Sequence, residues 1–321
     1  MRVKWMALFA VVLVAMVSSS AKADEIFISV DEAQKLLTNK NVRFVFADSE
    51  KDFKIGHIPG AVNAYAHDLQ FLDDVKKCKG LPMCEATAFT YIGKELGIDA
   101  NTEVIVYDNG MGVNASGTWF FLTLYGHKKT RIMEGGFPTL VAKNFTVEKD
   151  AQKVTGKTFK GEVQWNMIAN RQDVEKATKD SSKYFIVDAR HTLEEYTGKT
   201  LQSGLAAHGK EITVARGGFI PTAVFSPWTK YAGNKSGEAN KPILKDEKDL
   251  GKQIEKLKKN GYDPAKEVIS YCHVGLGRGS FQYLALKKAG HKNVKVYIGS
   301  WSEWGNASEL PLGKSDASAA E

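Results

Sequence analysis

Cys272 stands at the head of a loop, His273-Val274-Gly275-Leu276-Gly277-Arg278, whose residue types suit nucleophilic sulfur chemistry. Apolar and β-branched residues from Val268 lead into the cysteine, and Phe281 to Ala289 reads as a helix, so the order is strand, loop, helix. Such a loop turns successive backbone N–H groups inward, and the helix behind it adds the positive end of its dipole. Anionic sulfur or an oxyanion is favoured there, which makes the thiol a good nucleophile. Gly275 and Gly277 let the backbone take positive φ and approach a ligand closely. Arg278 can complete the cup with a fork of donors. A lone cysteine at a strand end is otherwise an inert core residue; the glycines, the arginine and the strand-to-helix setting point to the nucleophile.

The chain has three cysteines. Cys78 and Cys84 flank a Gly-Leu-Pro turn, and a small disulfide-closed loop between them is expected in an oxidising compartment. The alternative is a second redox or metal site, but no histidines stand at ligand spacing.

The elements that must position Cys272 occur twice. Val104-Ile105-Val106-Tyr107-Asp108 is answered by Val268-Ile269-Ser270-Tyr271-Cys272 at an offset of 164 residues, which also carries Gly126-His127 onto Gly290-His291. Upstream, Phe44 to Asp48 pairs by pattern with Tyr184 to Asp188, and Ile58-Pro59 with Ile220-Pro221, leaving an insertion around Thr197 to Gly217. Each copy alternates helix with short apolar strand, which predicts α/β domains with a parallel sheet covered on both faces. Ser29 with Glu32 predicts a capping box, and a helix is expected over 86–96.

Met1 to Ala23 reads as a secretory signal peptide: Arg2 and Lys4 precede an apolar run, and Ala21-Lys22-Ala23 fits a cleavage site. Removing it would lower the formal net charge from +7 to +4. The scattered lysines give no footprint for nucleic acid, and no later stretch is apolar enough to cross a membrane. The expected organisation is 24–145 and 161–308 as domains, 146–160 as a polar linker and 309–321 as a flexible tail. The protein is expected to be exported, to a periplasmic or extracellular space.

The motifs Gly56-His57-Ile58-Pro59-Gly60-Ala61, Asp188-Ala189-Arg190, Tyr271-Cys272 and Gly299-Ser300-Trp301-Ser302-Glu303-Trp304 together resemble the tandem-domain rhodaneses, sulfurtransferases of the thiosulfate or mercaptopyruvate type. The resemblance covers nearly the whole chain after the leader. It implies two rhodanese-like domains, with the first inactive because Asp108 replaces the cysteine. It also implies a double displacement in which Cys272 takes a sulfane sulfur from an anionic donor and yields it to a thiol or cyanide. The N–H groups from His273 to Arg278 would hold the persulfide, Arg190 would bind the anionic end of the donor, and no metal or organic cofactor is required.

Three departures bear on substrate. His273 replaces both the arginine of thiosulfate-type enzymes and the glycine of mercaptopyruvate-type ones; it can titrate near neutral pH or simply face solvent. Glu195 lies near the place of a second anion-binding arginine, for which His208, Lys210 or Arg216 of the insertion are candidate substitutes, while Phe219 is read as packing only. The C-x5-R spacing from Cys272 to Arg278, one residue longer than expected for a sulfurtransferase, leaves open an oxyanion enzyme of the phosphatase or arsenate reductase kind. A third reading is a non-catalytic persulfide carrier for a redox or sulfur-respiration partner.

Overall fold

Apolar runs without polar alternation form strands buried on both faces, and ten such strands build two sheets. The computed structural model describes residues 26–70, 75–201 and 205–313. The signal-peptide segment and the end of the tail therefore lie outside the described residues. In the first copy the elements are β1 (Phe27–Ile28), α1 (Val30–Gln34), β2 (Val42–Phe46), α2 (Glu50–Ile55), β3 (Val62–Asn63), α3 (Glu85–Thr90), β4 (Glu103–Tyr107), α4 (Val113–Leu124), β5 (Thr130–Met133) and α5 (Gly136–Ala142). The second copy runs through β6 (Ile168–Ala169), α6 (Arg171–Ala177), β7 (Tyr184–Asp188) and α7 (Leu193–Thr197). A hairpin of β8 (Ala206–Ala207) and β9 (Lys210–Glu211) follows. It continues with β10 (Val224–Phe225), α8 (Glu247–Lys259), β11 (Glu267–Tyr271), α9 (Arg278–Lys288), β12 (Val294–Tyr297) and α10 (Ser300–Trp304).

Both five-stranded sheets are wholly parallel, ordered β1-β5-β4-β2-β3 and β6-β12-β11-β7-β10. The expected capping box is present, Ser29 accepting from the Glu32 N–H and Glu32 from the Ser29 N–H. The helix expected over 86–96 starts as α3 and widens to a π-turn over Tyr91–Glu95. Among the described residues no helix is long and apolar enough to cross a membrane.

Strand register corrects one pairing read from the sequence. Phe46 lies opposite Tyr107 just as Asp188 lies opposite Tyr271, and the N–H groups of Ala47 and Ala189 donate to those two tyrosine carbonyls, each at 2.8 Å. The counterpart of Asp48 is therefore Arg190, and that of Asp188 is Phe46. A shift of two residues keeps every side chain on its original face, so two strands apolar on both faces give no internal sign of the slip. The two site loops are of equal length: His127 and His291, both donating five residues back to Leu122 and Leu286, preserve the 164-residue offset past the loop.

The two copies share one core. α4 lies against α9, with Phe120 and Tyr283 edge to face at 5.1 Å. Gly117 makes the approach possible: a Cβ there would fall 2.7 Å from the Ala66 Cβ and 2.9 Å from the Gly277 nitrogen. The linker is strapped down rather than loose. Glu148 bridges to His57, the Lys157 N–H donates to the Gly93 carbonyl, and Phe159 is buried. In the described part of the tail Leu310 is buried and the Gly313 N–H donates to the Phe219 carbonyl.

Cys78 and Cys84 are bridged, with Cα atoms 4.8 Å apart, and Cys84 forms the N-cap of α3. Closing so short a loop restricts the unfolded chain by about 2 kcal/mol. Replacing both cysteines by alanine should lower the unfolding free energy by about that amount in chemical denaturation; an unchanged midpoint would show that the bridge constrains nothing.

Candidate active site

β11 is the central strand of its sheet, and its last residue hands the chain to Cys272 in the interior. The Tyr271 hydroxyl accepts from the Ile220 N–H at 3.3 Å, tying the Ile-Pro turn to the strand end. The Cys272 N–H donates to Ser300 Oγ at 3.2 Å, while the N–H groups of Trp301 and Ser302 donate to the Cys272 and His273 carbonyls. The loop is thus clamped by the start of α10. Gly275 has φ +78°, and a Cβ there would lie 2.5 Å from the Ile298 carbonyl oxygen; Gly277 has φ +126°. Both positions need glycine.

The first copy shows what this turn binds. The Asp108 carboxylate sits at the position of Cys272 and accepts from the N–H groups of Gly110 at 2.9 Å, Gly112 at 3.0 Å and Ala115 at 3.1 Å. Their counterparts are Val274, Leu276 and Gly279. The Leu276 N–H is spent on Gln70 Oε1 at 3.1 Å, and Gln70 also donates to the Ile298 carbonyl. Among the described residues, the N–H groups of His273, Val274, Gly275 and Gly279 donate to no protein acceptor. Gly279 lies against the sulfur, since a Cβ there would be 3.7 Å from Cys272 Sγ.

Cys272 opens onto a cavity of about 180 Å3 between the two copies. The second copy contributes His273, Val274, Arg278, Trp228 and Leu205; the first contributes His67, Asn109, Met111, Val113 and Asn114. Of the residues expected at the site, Cys272, His273, Val274 and Arg278 line this space, whereas Gly275, Leu276 and Gly277 shape the turn behind it. Neither Cys78 nor Cys84 is near it in the lining.

Arg190 departs from expectation. Its guanidinium is 2% exposed, donates to both Asp188 carboxylate oxygens and to the Gly218 carbonyl, and lies 4.7 Å over the Trp301 ring. A buried carboxylate needs such a partner, so Arg190 is committed to Asp188 and does not line the cavity. Arg216 is equally committed, its guanidinium capping the carbonyls of Trp304, Gly305 and Leu310 at the end of α10. His208 and Lys210 lie on the exposed hairpin, with the His208 N–H donating to Asp68. Phe219 stacks on Tyr196 at 4.2 Å, which is the packing role expected of it.

His273 is 2% exposed and neither ring nitrogen has a partner. Burial, then Arg190 and Arg278, pushes its pKa down to about 3, so it does not titrate near neutrality as the sequence suggested and does not face solvent. His67 is pushed down to about 4 by burial and Arg278, and its Nδ1 meets the Tyr65 hydroxyl at 2.7 Å. Arg278 Nη1 pairs with Glu195 Oε2 at 3.5 Å. Asn109 and Asn114 are held from behind by Asp48, which accepts from the Asn109 N–H at 2.7 Å and Asn114 Nδ2 at 2.5 Å. The repeat offset equates Asn109 with His273 and Asn114 with Arg278 without saying that the two loops meet, and His67, Gln70 and Trp228 carry no sequence signal.

A family model described as Rhodanese-like domain matches residues 29–143 and 170–307. A protein of Mycolicibacterium smegmatis named as a thiosulfate sulfurtransferase is 31% identical over 293 residues, covering 90% of this chain and 97% of its own. One of Saccharopolyspora erythraea with the same name is 29% identical, covering 90% and 96%. Among solved structures, the 3-mercaptopyruvate enzyme SseA from Escherichia coli superposes with a TM-score of 0.67 at 23% identity, covering 86% of this chain and 98% of that one. EanB, solved as a cysteine persulfide with ergothioneine, superposes with a TM-score of 0.72 at 19% identity over 91% of this chain and 71% of that one.

Asp48 occupies the place of Arg190 without a cation. Burial first, then the charge of Asp108, raises its pKa to about 7, from about 4 for a free aspartate. The folded state therefore holds the proton more tightly, so the stabilisation is complete below about pH 4 and is lost as pH rises through about 7. Asp48→Asn should flatten the fall in melting temperature between pH 4 and 8; parallel curves for variant and wild type would show that Asp48 does not titrate in that window.

Proposed function

The chain belongs to the rhodanese family and is a sulfurtransferase, and from that premise we propose that Cys272 is its catalytic residue and carries the transferred sulfur as a persulfide. The Cys272 thiolate attacks the outer sulfur of a sulfane donor, and the donor's S–S bond breaks with its electron pair leaving on the remainder. An acceptor nucleophile, cyanide or a thiolate, then bonds to the terminal sulfur and the Cys272 thiolate departs. The exchange needs no external oxidant or reductant.

The observation that carries this reading is the Asp108 carboxylate in the first copy. The turn that grips it with three N–H groups recurs around Cys272, where the counterpart donors of Val274 and Gly279 are unspent. An anion borne on Cys272, the terminal sulfur of a persulfide, would find prearranged donors of the kind that stabilise developing charge. The neutral His273 and the side chains of Val274 and Arg278 would border the transferred sulfur, with Gly275, Leu276 and Gly277 shaping the turn. The rival oxyanion chemistry needs a full ring of donors and a mobile guanidinium. Here the Leu276 and Gly277 N–H groups are spent on Gln70 and Ser280, and Arg278 is paired with Glu195.

Residues 24–145 and 161–308 are proposed as the two units, the first supplying Asn109, Asn114 and His67 to the site of the second. Export to an oxidising compartment is supported by the Cys78–Cys84 bridge, and the acceptor there is proposed to be a small thiol or a redox protein.

Intact mass of the protein before and after a sulfane donor, then after cyanide, tests the cycle. The expected outcome is a gain of one sulfur that cyanide removes and that Cys272→Ser abolishes at unchanged melting temperature. Turnover by Cys272→Ser, or sulfur retained elsewhere, would sink the assignment. A single loading with negligible turnover would make the protein a carrier.

A further inference from the structure

The charges of two guanidinium groups reach His273, and each group meets a carboxylate: Arg190, outside the cavity lining, is held by Asp188 at 2.7 Å, and Arg278, in the lining, meets Glu195 at 3.5 Å. Glu195 acts on both, since its charge also stabilises the Arg190 cation. It is kept in place by its own backbone, the Thr192 hydroxyl capping its N–H at 3.1 Å and its Oε2 accepting from the His191 N–H at 3.2 Å. The remaining polar groups of the wall, His273, His67, Asn109 and Asn114, are uncharged, and Trp228, Met111, Val113 and Leu205 complete it with apolar surface.

In a cavity of about 180 Å3 whose lining guanidinium, Arg278, already meets Glu195, a compact dianion would lose its hydration for a cation it must share. A sulfur chain with an uncharged or singly charged end loses far less. Building on the sulfur-transfer reading above, we propose that Glu195 sets donor specificity by neutralising Arg278, so that the site favours hydropersulfides, R–S–SH, over thiosulfate. In that reaction the Cys272 thiolate bonds to the outer sulfur of R–S–SH and the inner S–S bond breaks. The departing thiolate takes the proton the outer sulfur carried, leaving Cys272 persulfide and R–SH. The apolar wall receives R, and the unsatisfied nitrogens of His273, at 2% exposure, offer a donor and an acceptor to the incoming S–SH group.

Glu195 is a positioning residue, so the decisive readout is a ratio rather than a rate. Sulfuration of Cys272 is followed with thiosulfate and with 2-hydroxyethyl hydropersulfide as the two probes. For the wild-type protein kcat/KM should favour the hydropersulfide by at least about tenfold. Glu195→Gln should shift the thiosulfate-to-hydropersulfide ratio towards thiosulfate by about tenfold, Glu195→Asp should keep the wild-type ratio, and Glu195→Gln with Arg278→Gln should abolish the gain. Equal loss with both donors in Glu195→Gln, or a gain that survives removal of Arg278, overturns the proposal. The wild-type comparison needs no variant to fold, and thiosulfate equal to or better than the hydropersulfide also overturns it. Failure of every donor to sulfurate Cys272 overturns the persulfide reading itself, whereas sulfuration with an unshifted ratio overturns only the role of Glu195.

Discussion

An anion held in the protein interior by backbone N–H groups is the interaction on which the rest of the structure depends. Peptide donors can be aimed inward only where a central parallel strand ends and a helix begins, and only if the turn between them tolerates positive φ. That requirement accounts for Gly275 and Gly277, for the clamp from Ser300 and α10, and for Gly117, whose missing side chain lets α4 press against the loop. Take away the close approach of the first copy and Leu276 would have an N–H with no Gln70 to receive it. Burial of the sulfur and rigidity of its cradle therefore both come from the neighbouring domain as much as from the domain that carries it.

Duplication supplies an internal control on this interpretation. The same turn in the first copy is closed by its own side chain: the Asp108 carboxylate accepts from three of its N–H groups. Its companion substitution is Asp48 at the place of Arg190. In the second copy the buried carboxylate of Asp188 faces a guanidinium, whereas in the first Asp48 faces Asp108 and is satisfied by two asparagine N–H groups instead. Those two asparagines then stand at the wall of the other copy's cavity. The first domain thereby presents polar side chains to Cys272 within one shared core.

What the sequence allowed depended on how far apart the interacting residues lie. Local signals held: the capping box at Ser29, the glycine-spaced loop, the strand into Cys272, the repeat offset, and the short Cys78–Cys84 loop each involve residues whose chemistry and spacing decide the outcome within a few positions. The partners of long side chains did not. Arg190 carries an arginine's promise of anion binding, but its commitment to Asp188 and Gly218 is settled by burial, which no linear pattern reports. His273 was open between titrating and solvent-facing, and it is neither, because the copy that buries it lies far away in sequence. His67, Gln70 and Trp228 reach the site only through the packing of one domain on the other.

Register explains the remaining discrepancy and has a chemical consequence. Matching Phe44 to Asp48 with Tyr184 to Asp188 by pattern equates Asp48 with Asp188. The paired strands instead equate Asp48 with Arg190, so the copies differ by reversal of charge at one point and by aspartate for cysteine at another. Each reversal is compensated nearby: Arg190 by Asp188, Asp48 by the asparagine donors and a raised proton affinity. Applied to Arg278 and Glu195, the same pattern sets a carboxylate against the guanidinium that lines the cavity. The persulfide proposed on Cys272 would then draw on the peptide N–H groups of Val274 and Gly279, the counterparts of those that hold Asp108 in the first copy.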